Sequence, residues 1–194
     1  MIGPGCKDKE IKILKRTVSF HENIGYTWVN DVKHVTELIE NMGLNGCKPV
    51  TTPGTKDTVK NLADAEDELD ESEKKFFQSC AGKLMYHSID DPRVQFETGM
   101  VMSGMARPRV MDKARLWRVV RYLAGAPRVE WRFHYQKPGV KCYVLCDADH
   151  ASDEETRRST SCVQAFVGKY LIDTESVKQQ VIALSSGEAE FYAI

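Results

Sequence analysis

The sequence lacks the patterns that mark several protein classes. None of its six cysteines belongs to a C-x-x-C pair or a cysteine/histidine cluster, which argues against a zinc site and a secreted disulfide framework. No run approaches the ~20 apolar residues of a membrane-spanning helix, and the N-terminal residues lack a signal-peptide core. There is no glycine-rich phosphate loop and no nucleophile elbow. We expect a soluble intracellular protein, cytoplasmic or nuclear, that makes no membrane contact.

Net charge is also nearly absent, because the formal total is −1 over 194 residues. Any nucleic-acid contact must therefore come from local patches. Acidic residues cluster at 57–73, and basic residues cluster at 107–132. The acidic segment has few apolar residues, which predicts a surface loop at 57–73.

The first two thirds of the chain combine a short β segment with helices. Alternation at 11–20 and 26–29, around a turn at 23–25, predicts a β-hairpin. Helical spacing of apolar residues predicts four helices, which begin at or after Asp31, Asp70, Asp91 and Met111. Glycine and proline end the last of these helices near residue 125.

After residue 127 the hydrophobic period changes from helix to strand. Four extended segments follow: WRFHYQ, VKCYVLCDAD, SCVQAFVGKYLID and KQQVIALSS. The chain then reads SSGEAEFYAI, which has the capping serine and early glutamates of a helix start. The sequence predicts an α+β protein, with an α-rich module followed by a β-meander and the start of a helix.

Two pairs of carboxylates stand at the ends of these elements. Asp147 and Asp149 end a strand, and Glu188 and Glu190 lie in the first turn of the last helix. Such carboxylates can ligate Mg²⁺, which prefers hard oxygen donors. Alternatively, the aspartates satisfy backbone donors in a turn, and the glutamates interact with the helix dipole. The residues alone leave both interpretations open.

The order of these motifs resembles a known family. CDAD, TRRSTS and ALSSGEAEF, with GKLMYHSIDDP and ARLWRVVRYLAG before them, resemble the pol polyprotein of copia-type LTR retrotransposons. The resemblance extends from about residue 11 onward. It implies the end of a reverse transcriptase palm or thumb at 1–50, a helical connection-like module at 51–127, and a partial ribonuclease H-like domain at 128–194. Relative to that family, we expect the chain to be truncated at both ends.

The resemblance also implies roles for the carboxylates. Asp147 matches the first catalytic aspartate of ribonuclease H, and Glu190 matches its helix glutamate, with Asp149 and Glu188 as the less favoured ligands. These residues would hold Mg²⁺ for hydrolysis of the RNA strand of an RNA–DNA hybrid.

Three residues depart from the family pattern. His150 stands where the family usually has tryptophan, and Ser152 and Cys162 stand where it usually has glycine. The family's later catalytic aspartate and its polymerase site are not in this sequence, so we expect the isolated chain to be inactive. The alternatives are a nucleic-acid-binding remnant and a non-functional product of a degraded element.

Two groups of arginines are candidates for nucleic-acid contact. Arg115, Arg118 and Arg121 lie on one side of the fourth helix, and Arg157 and Arg158 lie in TRRSTS. Arginine forks suit phosphates, although a solvated polar surface explains the same pattern. The resemblance favours an RNA–DNA hybrid and the rest of the Pol polyprotein as partners.

Overall fold

The computed structural model describes residues 1–55, 62, 64–153 and 155–194, which divide into unit 1 (Met1–His134) and unit 2 (Tyr135–Ile194). The strands of unit 1 are β1 (Glu10–Ile13), β2 (Arg16–His21), β3 (Gly25–Val29) and β4 (Glu130–His134). Its helices are α1 (Lys33–Asn41), α2 (Glu71–Ser88), α3 (Gln95–Ser103) and α4 (Val110–Gly125). Unit 2 contains β5 (Cys142–Ala148), β6 (Thr160–Val167), β7 (Tyr170–Lys178) and α5 (Ser186–Phe191). Helices and antiparallel sheets together agree with the predicted α+β class.

The first strand prediction is wrong in one respect. Residues 11–20 were expected to form one strand, but a two-residue turn at Leu14 and Lys15 divides them into β1 and β2. Both residues have positive φ, 48° and 65°, as the tight turns of β-hairpins require. No glycine or asparagine marks this turn, and the alternation continues across it, so the pattern gave no signal for it.

The second correction concerns β4. The sequence predicted this strand as the start of the C-terminal meander, but β4 pairs with β3 and completes an antiparallel sheet of order β1-β2-β3-β4. The pairing places Trp28 directly opposite Trp131, with ring centroids 6.1 Å apart. Alternation identifies a strand but does not select its partner, which here is about 100 residues away.

The predicted helical core is confirmed. Asp70 caps α2, since its carboxylate accepts hydrogen bonds from the backbone N–H groups of Ser72 and Glu73, both at 2.8 Å. Apolar residues of the helices form one buried cluster, which includes Val35, Leu38, Phe77, Leu84, Val101, Leu116, Val120 and Leu123. The helix expected after Asp91 begins as a 3₁₀ turn, Pro92–Val94, and ends at Ser103 rather than near residue 107.

The predicted acidic loop 57–73 is described only in part. Positions 57–61 and 63 lie outside the described residues. Residues 71–73 are not loop but the first turn of α2, because the cap at Asp70 starts the helix there.

Unit 2 has a three-stranded antiparallel sheet of order β5-β6-β7. The segment SCVQAFVGKYLID, predicted as one strand, is two strands joined at Gly168, which has a φ of 60°. Residues 179–184, also predicted as extended, form no strand. The predicted helix start is confirmed, since Ser185 caps α5. None of the helices that the structure describes is both long and apolar enough to cross a bilayer.

Candidate carboxylate site

The two aspartates at the end of β5 differ in their bonding. Asp149 closes the β5–β6 ladder, since its N–H donates to the Thr160 carbonyl at 3.2 Å and its Oδ1 accepts from the Thr160 N–H at 2.6 Å. Asp147 is exposed and makes no side-chain hydrogen bond or ion pair within the described part of the chain. It lies opposite Cys162, whose thiol pKa is raised by burial and by the charge of Asp147.

The loop between β5 and β6 is held by its own side chains. Ala151, with a φ of 53°, donates its N–H to Ser159 Oγ at 3.0 Å. The Asp153 carboxylate accepts from the N–H groups of Glu155 and Thr156, both at 3.1 Å, and pairs with Lys178. Burial alone would raise the pKa of Asp153, but its bonds from Lys178 and Thr156 lower that pKa.

Two arginines and a histidine project from this loop. Arg157 and Arg158 are exposed, and His150 is exposed without a hydrogen bond to any described residue. Arg157 has a φ of 57°, and its N–H donates to the Asp153 carbonyl at 2.8 Å. The backbone that carries the arginines is therefore ordered by Asp153, while their guanidinium groups face solvent.

The two glutamates of α5 also differ. Glu188 accepts from the Leu184 N–H at 2.7 Å with Oε2 and from the Tyr192 hydroxyl at 2.9 Å with Oε1. The hydrogen bond to Glu188 raises the pKa of Tyr192. Glu190 is half-buried and has no such bond among the described residues. Glu188 therefore stabilises the start of the helix, and the carboxylate of Glu190 is available.

Packing brings the two elements together. Helix α5 contacts β5, and Ala189 of the helix is fully buried. Gln179 fixes the helix to the sheet, because its Nε2 donates to the Ala189 carbonyl at 2.8 Å and to Ser161 Oγ at 2.9 Å. Of the four predicted ligands, Asp147 and Glu190 thus remain available on neighbouring elements. Across the described residues, no three histidine, cysteine, aspartate or glutamate side chains come close enough to form a metal cluster.

The arginines of α4 have partners inside unit 1. Arg118 donates to Thr52 Oγ1 and Arg121 to the Lys48 carbonyl, each at 3.0 Å. Arg115 lies 3.5 Å from a carboxylate oxygen of the buried Asp112. These side chains hold residues 48–52 against α4, and their contact with nucleic acid stays a prediction.

The acidic and basic segments of unit 1 pair with each other. Ion pairs join Glu66 to Arg109 at 2.8 Å, Glu68 to Arg107 at 2.5 Å, and Glu73 to Lys113 at 2.5 Å. Sequence reasoning noted both charge clusters but did not predict this pairing. Their opposite signs were the available signal.

A buried polar network in unit 1 was also missed. Asp91 is fully buried, accepts from Arg93 Nε at 2.7 Å, and lies 3.2 Å from His87 Nε2. The other ring nitrogen of His87 lies 3.4 Å from Asn30 Nδ2. Burial raises the pKa of Asp91, but hydrogen bonds from His87 and Arg93 outweigh it and lower that pKa. The Asp-Pro helix start revealed Asp91 as a cap, whereas nothing local identified His87 as its partner.

Known proteins similar to this chain differ widely in length. The uncharacterized mitochondrial protein AtMg00810 of Arabidopsis thaliana is 28% identical over 86% of this chain and 68% of that protein. The secreted RxLR effector protein 161 of Plasmopara viticola is 30% identical over 61% of this chain and 83% of that protein. No protein-family model and no solved structure matches the chain.

Polyproteins of plant transposons match over 84–99% of the chain. The retrovirus-related Pol polyprotein from transposon TNT 1-94 of Nicotiana tabacum is 26% identical over 99% of this chain. The chain spans 14% of that polyprotein, so the similarity concerns one segment of it. Further plant transposon polyproteins also match, each at 26% identity. The chain is therefore similar to one segment of the retrovirus-related Pol polyproteins of plant transposons.

Proposed function

We propose that the chain is a segment of a copia-type retrotransposon Pol polyprotein in which unit 2 is part of a ribonuclease H-like domain. Unit 1 is then the end of the reverse transcriptase with its connection-like helices. The observation that supports the proposal is the bonding of the four carboxylates. Asp149 and Glu188 stabilise the local structure, which leaves Asp147 on β5 and Glu190 on the adjoining helix for a metal ion.

The donor set fits Mg²⁺. This ion takes oxygen ligands and commonly binds through one or two carboxylates, with water and phosphate completing its shell. When bound, Mg²⁺ would activate a water and stabilise the displaced 3′-oxygen of the RNA strand. The protein's own contribution is positioning: Asp149 fixes the end of β5 that carries Asp147, and the cap at Ser185 fixes the turn that carries Glu190.

The same site supports binding of an RNA–DNA hybrid. Arg157 and Arg158 are exposed on the loop that follows β5, and arginine forks match phosphate geometry. We infer that these two residues contact the hybrid backbone. In the complete polyprotein, the neighbouring segments are the other partner of this chain.

Manganese tests the metal site directly, because Mn²⁺ replaces Mg²⁺ and broadens nearby NMR signals. We expect broadening of amides near Asp147 and Glu190, and its loss in Asp147→Asn and Glu190→Gln. Asp173→Asn and Glu175→Gln are matched controls, since they remove the same charges from exposed positions on β7. Broadening that persists in the Asp147→Asn/Glu190→Gln double variant would contradict the site.

A second assay separates binding from catalysis. We expect the isolated chain with Mg²⁺ to show no hybrid-dependent RNA cleavage, because the described residues contain no third ligand beside these two carboxylates. Cleavage that Asp147→Asn abolishes would overturn this expectation. Salt-dependent binding of a hybrid without cleavage would fit the alternative, a binding remnant.

A further inference from the structure

A segment without helix or strand, residues 48–55, lies along one face of α4 in unit 1. Its attachment points on the helix are Arg118, Arg121 and Gly125, which are three and four residues apart and therefore share a face. Gly125 allows the close approach, since any side chain there would meet Pro49. The segment is thus held over an arginine-bearing side of α4.

The contact between Arg118 and Thr52 leaves half of one guanidinium edge unused. Arg118 Nη2 donates to Thr52 Oγ1 at 3.0 Å. Arg118 Nε, on the same edge, is buried and has no hydrogen-bond partner among the described residues. A buried donor without a partner is unfavourable. The hydroxyl oxygen of Thr52 therefore satisfies only one of two parallel N–H groups.

Arg93 shows what the same edge of an arginine binds when both donors are used. Its Nε and Nη2 donate to the two carboxylate oxygens of Asp91 at 2.7 and 2.8 Å. In this bidentate geometry arginine binds carboxylates and phosphates. Arg118 offers the same two donors to a single hydroxyl oxygen, so a group with two anionic oxygens at this position would satisfy both.

Thr52 is placed to carry such a group. It is exposed in the described chain, and Pro53 follows it in the one Thr-Pro or Ser-Pro step of the sequence. A residue before proline is restricted to extended conformations, and a kinase binds its substrate in extended form. Proline-directed protein kinases modify threonine in this position. Phosphorylation adds three strong acceptor oxygens and a charge of about −1.5 to −2.

We propose that Thr52 is a phosphorylation site and that Arg118 binds its phosphate through Nε and Nη2. A protein kinase transfers the γ-phosphoryl group of ATP to Thr52 Oγ1. The bond between the γ-phosphorus and the β–γ bridging oxygen breaks, the bond from phosphorus to Oγ1 forms, the hydroxyl proton passes to the catalytic base of the kinase, and ADP leaves. Neither Asp147 nor Glu190 takes part, so this site is independent of the proposed metal site.

Glu97 of α3 is an acidic residue close to this place. Its carboxyl group reaches Gly54, where any side chain would overlap it. Burial raises the pKa of Glu97, while the positive charges of Arg115 and Arg118 act in the opposite direction, so both guanidinium groups lie near this carboxyl. A phosphate on Thr52 would compete with Glu97 for Arg118, and Glu97→Gln should therefore strengthen the phosphate contact.

Labelling tests Thr52 as the acceptor. The chain is incubated with ATP and a purified cyclin-dependent kinase, which is proline-directed, and tandem mass spectrometry locates the phosphate. We expect it on Thr52 and expect no labelling of Thr52→Val. The matched control is Thr51→Val, because Thr51 is also exposed but precedes no proline, and it should be labelled like the wild-type chain. An unlabelled Thr52, or equal labelling of Thr51, would overturn the proposal.

NMR tests whether Arg118 binds the phosphate. The Nε–H signal of Arg118 is compared between chains that carry phosphothreonine at position 52 or, as a control of equal charge, at position 51. Phosphate on Thr52 should move this proton signal downfield, because Nε then donates a charge-assisted hydrogen bond. Phosphate on Thr51 should move it less. Equal shifts would contradict the bidentate contact.

Hydrogen exchange measures how firmly the segment is held. Phosphate on Thr52 should slow exchange of the amides of residues 51, 52, 54 and 55 by about tenfold or more, the effect of one hydrogen bond to a charged group. Most of this slowing should be lost in Arg118→Lys, which keeps the charge but lacks the fork, and retained in Arg121→Lys. Undiminished slowing in Arg118→Lys would contradict the role of Arg118.

Free phosphate is a second source of the same oxygens. Millimolar inorganic phosphate should leave the Arg118 Nε–H signal of the unmodified chain in place, because a group attached to Thr52 has a much higher local concentration. A shift as large as that caused by phosphothreonine at position 52 would assign the edge to free phosphate and overturn the proposal.

Discussion

The two units differ most in what they bury. In unit 1 the helices enclose large apolar side chains, and Phe77, Leu84 and Leu116 are at most 1% exposed. Among the described residues of unit 2, the only buried hydrophobic residues are four alanines: Ala151, Ala183, Ala189 and Ala193. Its larger apolar side chains, such as Val144 and Ile172, are about half exposed at 55% and 53%.

This difference shows that a regular sheet does not imply a core. The β5–β6–β7 ladder is paired along its length, yet it lacks the burial that contributes most to folding free energy. Unit 2 relies on polar contacts, such as those of Asp149, Asp153 and Gln179. Unit 1 relies on packing, so equivalent substitutions should affect the two units unequally.

The largest expected effect is the loss of a core side chain. Leu116→Ala should lower the free energy of unfolding of unit 1 by about 2–5 kcal/mol, because it leaves a cavity. Ile172→Ala in unit 2 should change stability by less than about 0.5 kcal/mol. Native-state hydrogen exchange in urea measures the stability of the two units separately. Similar decreases in the free energy of unfolding of both units would contradict the difference between them.

The next effect concerns the buried carboxylate of unit 1. Asp91→Ala removes a helix cap and leaves Arg93 and His87 without their partner, so we expect a loss of about 2–3 kcal/mol. Asp173→Ala, at an exposed position of β7, is the matched control and should change the free energy of unfolding little. Denaturant unfolding of both variants provides the measurement, and an equal change in the control would contradict the role of the network.

A smaller effect should appear in acid. The pKa of Asp153 is lowered in the folded state, so its contribution to unit 2 is present above the unfolded value of about 3.9 and is lost as the pH falls below it. Asp153→Asn should lower the stability of unit 2 by about 1 kcal/mol at neutral pH. In this variant the stability of unit 2, measured by hydrogen exchange, should fall less steeply as the pH is lowered than in the wild-type chain. An equally steep fall would argue against the Asp153–Lys178 pair.

The smallest effect is on nucleic-acid binding. Arg157→Ala with Arg158→Ala should reduce hybrid affinity and lower the salt slope by up to about 2, one for each lost phosphate contact. Arg118→Ala with Arg121→Ala should lower that slope by less, because these residues already bond to Thr52 and Lys48 in unit 1. Salt titrations of a fluorescent RNA–DNA hybrid distinguish the two pairs of arginines. A larger change in slope for the Arg118/Arg121 pair than for the Arg157/Arg158 pair would show that α4 forms the contact surface.

Local signals predicted much of unit 1. Asp70 and Asp91 begin their helices, and Leu116 and Leu123 face the core at the expected spacing. These features depend on residues within one or two turns, so the sequence pattern is sufficient. The Leu14–Lys15 turn was missed because a hairpin turn without glycine leaves no compositional mark.

Contacts between distant segments could not be predicted. The pairing of β4 with β3 and the bond from Arg118 to Thr52 join residues that are far apart in sequence. Any exposed strand or arginine would show the same local pattern. The choice among possible partners depends on how the chain packs as a whole.

The same distinction between local sequence signals and tertiary contacts applies to the candidate site. The sequence by itself determined that two carboxylates lie at the end of β5 and two at the start of α5, because strand and helix periods place them there. Only the tertiary structure decided that Asp149 binds the Thr160 N–H and that Glu188 binds Leu184 and Tyr192, leaving Asp147 and Glu190 available. A carboxylate's role depends on which donors reach it, and folding alone brings those donors within hydrogen-bond distance.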